Sequence, residues 1–268
     1  MKFKQKIKKL IASKRANKYF FIALSCLFMV GVWWIWAEAT FVNRPTAPSP
    51  PVVFGQVFAL IANGTIWPSI FNTLLKVLIA FSISFVLGLG FAILAAVSTN
   101  ARNFFSPVIT LIRALPTVGV VLLLLILVSS PQVAAVTIAS MMVFPLLYEN
   151  FYTAIGQTDK DLLQMAKVHK IPFIKQLSGI YVLHMSPYIF GSGAAGISMG
   201  LKVVVAAEII TIPLGSTLGT AMDGASRVGS VELLFAWLLI AVLLCFVLEG
   251  VIKLAGWVLM PWRRVKND

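Results

Sequence analysis

The chain has 268 residues, of which 59% are hydrophobic and only 12% charged. A soluble domain is nearer half apolar and about a quarter charged, so lipid must be this chain's solvent. The formal charge of +13 sits in clusters beside apolar runs, not in the stripe of a nucleic-acid binder, which excludes nucleic acid as a partner.

In chain order, the pattern predicts an all-α polytopic membrane protein. A basic arm (1–18) and a basic tail (263–268) flank one membrane domain (19–262). Eight basic residues, from Lys2 to Lys18, crowd the arm. Such a cluster marks a cytoplasmic side and attracts anionic lipid. The first span is expected at 19–37, with Trp33, Trp34 and Trp36 as an interfacial belt. Ala37-Glu38-Ala39 resembles a signal-peptidase site, but the apolar run before it is long for a signal peptide. The proline-rich stretch 43–51 cannot span. Val53, Val57, Leu60 and Ile61 then predict a short helix, 51–61, lying on the outer surface.

Span two is expected at 71–97, followed by a turn carrying Arg102. Residues 114–148 hold no charge, and Ser129-Ser130-Pro131 divides the run into spans at 105–128 and 133–155. Pro116 should kink or break the first of these. The loop 157–187 is polar and lysine-rich. In it, Thr158-Asp159-Lys160-Asp161 reads as a capping box before Leu162, Met165, Ala166 and His169 at helical spacing. Pro172 should stop that helix near Lys170, with a second short helix at 173–183. Span five is expected at 187–210, a Gly-, Thr- and Ser-rich loop at 211–230, and span six at 233–258. Six spans put both termini and every dense Lys/Arg cluster on one face, the cytoplasmic one.

Gly191-Ser-Gly193-Ala-Ala-Gly196 matches a dinucleotide pattern, but no strand precedes it. Gly196 and Gly200 fit better as a close helix-packing face, and Gly88 and Gly90 are expected to serve span two likewise. No Gly-Lys pair occurs anywhere, so the chain lacks that type of phosphate loop. Cys26 and Cys245 lie in apolar spans without metal-ligand spacing. No catalytic set, metal or cofactor is expected. Charge inside a span costs about 2.5–3.5 kcal/mol on insertion scales, so it should be paired or face a cavity. Arg113 and Glu208, then Lys202 and Glu149, are the candidates to line or gate a path. The competing reading is ion pairs that lock the spans. Lys202 and Glu208 are six apart and should not pair with each other. Lys76 should snorkel towards a span end.

The loop 157–187 resembles the "EAA" coupling loop of binding-protein-dependent ABC importer permeases. Gln164-Met165-Ala166 stands in the Glu-Ala-Ala region, with Lys170 where the family has glycine, and Pro187-Tyr-Ile follows. Thr46-Ala-Pro48-Ser-Pro50, Leu111-Ile-Arg113-Ala-Leu-Pro116 and Val205-Ala206-Ala207-Glu208 resemble stretches of the nitrate/sulfonate/taurine group, in the same order. The resemblance implies a permease subunit whose ATP is hydrolysed by a cytoplasmic ABC ATPase dimer. An external solute-binding protein and a second permease subunit, here a second copy, complete the transporter. Asp161, Gln164, Met165, Ala166, His169, Lys170 and Pro172 would take the ATPase contact. Ala166→Asp should then uncouple the ATPase and leave insertion intact. The implied solute is a sulfonate-, taurine- or nitrate-like anion or a thiamine-precursor-like compound. The alternative is a secondary transporter or channel that needs no ATPase.

Overall fold

The computed structural model describes residues 2–41, 47–158 and 160–260. The start of the proline-rich stretch, through Thr46, lies outside these, as do Asp159 and the basic tail. Among the described residues all regular structure is helical.

Helix α1 (Lys2–Phe41) runs unbroken across the expected boundary between arm and span. Its apolar stretch, Phe20–Ala39, is long enough to cross a membrane and touches the rest of the chain chiefly near its far end. There Trp33 stacks on Phe235, ring centroids 6.1 Å apart. Helix α2 (Pro50–Ala62) begins on two prolines, which suit a first turn whose N–H groups have no partner anyway. It buries Val53 and Val57 and leans on α11 (Val231–Leu259).

The centre is built from α3 (Ile66–Val97), α6 (Pro131–Gly156) and α9 (Val182–Thr211). The buried face of α3 includes Ser69, Thr73, Ala80, Ser84, Gly88, Ala92 and Ala95. Small side chains let backbones approach where lipid supplies no hydrophobic drive. Ser84 Oγ donates across to the Ser140 carbonyl at 2.9 Å. A Cβ on Gly88 would lie 3.1 Å from Leu147 Cβ and 3.2 Å from the Tyr148 nitrogen, and one on Gly196 would lie 3.0 Å from Leu147 Cδ2. Gly200 meets Val143 at ordinary contact distance, whereas Gly90 faces open space and packs against nothing. Gly88 and Gly196 thus sit at close helix approaches, Gly200 at ordinary contact and Gly90 at none.

Helices α4 (Thr99–Ala114) and α5 (Thr117–Leu127) meet at 97°. The break falls where Pro116 forces Leu115 out of helix, to φ −68° and ψ 131°. Among the described residues five helices are long and apolar enough to span, and six if this bent pair counts as one span.

The 157–187 loop carries α7 (Lys160–Val168) and then α8 (Phe173–Gln176). Here the structure corrects the sequence reading. The second short helix does not end before span five. It continues through a π turn, Leu177–Tyr181, straight into α9. Pro187 lies inside α9 rather than at its start. Its missing N–H would have bonded the Leu183 carbonyl, and Ser186 Oγ donates to that carbonyl instead, at 2.8 Å. A second correction concerns 211–230. Rather than a loop throughout, it contains α10 (Leu218–Arg227), started by a reciprocal capping box between Thr217 and Thr220.

Candidate functional site

Two polar constellations and one surface hairpin hold nearly all the residues singled out from the sequence. The tightest constellation joins α3, α9 and α10. Glu208, in the last turn of α9, is fully buried. Lys76 Nζ donates to its Oε1 at 2.7 Å, and Thr73 Oγ1 donates to its Oε2 at 2.9 Å. The Gly219 N–H reaches Oε2 at 3.1 Å, and the Leu218 N–H donates to Thr73 Oγ1 at 3.0 Å. The carboxylate thus caps the N-terminus of α10, where the helix dipole favours negative charge. Asn72 Nδ2 adds a hydrogen bond to the Ser216 carbonyl at 2.8 Å. Lys76 does not snorkel. It is buried as the partner of Glu208, because a carboxylate withdrawn from water needs a counter-charge and several donors. The α9–α10 turn has Ile212 at φ 44° and ψ 64°, a left-handed conformation uncommon for a β-branched residue, and Gly215 at φ 96°.

The second constellation lies beside the break between α4 and α5. Arg113 Nη1 pairs with Glu149 Oε1, so two of the predicted path residues meet. Pro116 makes the break one turn beyond Arg113. Both charged side chains stay about half exposed, at 56% and 45%. Nearby, the Arg102 guanidinium lies 5.1 Å from the centroid of the Tyr152 ring.

Lys202 joins neither group. It is exposed on α9, within electrostatic reach of Glu249 on α11. Glu249 accepts hydrogen bonds from Ser198 Oγ and from Lys253 Nζ, the latter at 2.7 Å. Ser198 Oγ also lies 2.8 Å from Cys245 Sγ. The sequence pointed to neither Ser198 nor Lys253.

In the hairpin, Asp161, Gln164, Met165, His169, Lys170 and Pro172 are exposed. Ala166 is fully buried. The outward apolar side chains are Leu162, Met165 and Val168. Ala166→Asp would therefore bury a carboxylate and strain the hairpin itself, whatever its effect on insertion. Lys170 ends the first helix at φ 49°, a left-handed conformation that only glycine adopts without cost. Lys170→Gly should raise the stability of the purified chain by about 0.5–1 kcal/mol, read as a higher Tm. A lower Tm would contradict the strain assigned to this turn.

Residues 84–255, most of the chain, match the family model described as "Binding-protein-dependent transport system inner membrane component". A putative aliphatic sulfonates transport permease protein, SsuC of Bacillus subtilis, is 21% identical over 88% of this chain and 84% of its own length. A probable ABC transporter permease protein of Brucella abortus is 24% identical over 90% of this chain and 94% of its own. The riboflavin transport system permease protein RibX of Chloroflexus aurantiacus is 23% identical over 77% of each. Among solved structures, the fold resembles that of the methionine ABC transporter MetNI in inward-facing conformations. The TM-score is 0.63 at 12% identity, covering 71% of this chain and 94% of that one. The chain belongs to the binding-protein-dependent transport permeases, membrane subunits of ABC transporters that leave ATP hydrolysis to a partner chain.

Proposed function

We propose that two copies of this chain enclose a solute path, with both termini and the 157–187 hairpin in the cytoplasm of a cell-membrane importer. The hairpin docks on an ABC ATPase dimer, and an external binding protein delivers the solute. The observation that carries this reading is the outward apolar set Leu162, Met165 and Val168 on a nine-residue helix between two spans. Ala166, on the same helix, is buried. An amphipathic helix so placed fits a partner's groove.

Arg113 and Glu149 belong to the path or its gate. Half-exposed charges at membrane depth cannot be left against lipid, so that face of α4 and α6 turns to a cavity or to the second copy. Lys202 follows the same argument. Glu208 instead holds the bundle together. The solute is a small anion. The exposed intramembrane basic groups support this, and SsuC is named for aliphatic sulfonates.

The test is the paired substitution Met165→Glu and Val168→Glu on exposed positions. It should leave the chain folded and inserted while co-purification of the ATPase falls at least tenfold. Full retention of the ATPase would overturn the docking assignment. Ion-gradient-driven uptake by the purified chain alone would favour a secondary transporter.

A further inference from the structure

A cavity of about 470 Å³ opens between α3, α6 and the α9–α10 turn. That volume falls within the range of small-molecule sites. Ile79, Val136 and Leu214 are among its apolar walls, and Asn72, Lys76 and Gln132 are among its polar groups. Leu214 stands 90% exposed on the strained turn, at the mouth. Lys76 lies within the cavity wall with its side chain 90% withdrawn from solvent (10% exposed).

Lys76 is the informative group. An ammonium carries three donors, and its bond to Glu208 Oε1 uses one. A buried charge with donors left over favours an added acceptor. Glu208 does not compete for all of them, because Thr73 Oγ1 and the Gly219 N–H hold its other oxygen. The N-terminus of α10 is already met by Glu208 Oε2, so what the cavity offers is the remaining Lys76 donors under an apolar wall.

We propose that this cavity binds a short-chain organic anion, with its charged head on Lys76 and its alkyl part against Ile79, Val136 and Leu214. The proposal names a solute subsite for the transport reading and rests on that reading. It is tested on the purified full-length chain, so its failure is separate from a failure to retain the ATPase.

Thermal unfolding is followed with butane-1-sulfonate, butan-1-ol and butylammonium. The sulfonate should raise the Tm by several degrees at saturation, by mass action on the folded state. The alcohol and the ammonium should not. K76M/E208Q removes both charges of the buried pair and should abolish the shift. Leu214→Glu, on the exposed turn, should weaken the sulfonate response at least tenfold without touching the pair. An equal shift with the alcohol would mean apolar filling only, by lipid or detergent as readily as by solute, and would overturn the proposal. So would a sulfonate shift that survives K76M/E208Q, or one unchanged in Leu214→Glu should the double variant not fold.

Discussion

Lys76→Met should destabilise the purified chain by about 3–5 kcal/mol, the usual cost of leaving one partner of a buried ion pair unpaired. Glu208 is fully buried and receives donors from three places: Lys76, Thr73 and the start of α10. Removing the ammonium leaves a carboxylate whose remaining donors are neutral. Glu208→Gln should do comparable harm from the other side, stranding Lys76. The double variant Lys76→Met with Glu208→Gln should recover most of the loss, because no net charge then remains in the site. A double-mutant cycle on thermal or denaturant unfolding checks this, and the coupling should exceed the roughly 3 kcal/mol usual within one network, because each single change strands a buried group. Simple additivity of the two single changes would show that the pair is not the unit that holds α3 to α9.

Gly219→Ala should be nearly as damaging, through shape rather than charge. An added Cβ would fall 2.3 Å from Glu208 Cβ and 2.8 Å from both the Ile209 nitrogen and the Val205 carbonyl oxygen. Backbone makes up two of these three obstacles, and no rotamer relieves them. Overpacking of this kind costs about 3 kcal/mol or more. It would push α10 off α9 and break the Gly219 N–H bond to Glu208. Gly224, on the same helix, has nothing within 4 Å of its Cβ position. Gly224→Ala should therefore be neutral, or stabilising by up to about 1 kcal/mol from helix propensity. Equal effects at the two glycines would remove the close-approach argument.

Sequence reading reached the elements whose causes are local. Pro116 dictated the break between α4 and α5, because a proline restricts the residue before it wherever the chain lies. The runs behind α3, α6 and α11 were legible from length and apolarity, and Arg113 in α4 and Glu149 in α6 stood out as charges in apolar surroundings. Long-range pairing was not legible. Lys76 and Glu208 are 132 residues apart, and nothing near Lys76 tells a buried ammonium from one that reaches for the surface. Helix α10 was hidden by its Gly-, Thr- and Ser-rich composition. The signal available was Thr217 followed three residues later by Thr220, a cap that uses a hydroxyl where an acid or amide is usual. The burial of Ala166 beside exposed Leu162, Met165 and Val168 was not legible either, because periodicity marks an apolar face without telling what covers it.

The π turn at Leu177–Tyr181 has a mechanical consequence. Since helix continues through it, α8 and α9 form one uninterrupted helix, and the stretch Gly179–Thr211 alone is 33 residues, about 50 Å at 1.5 Å per residue. Under the proposed docking, a tilt imposed at Phe173 would travel along this helix to Glu208, whose grip on Lys76 would set the pivot for the far tip.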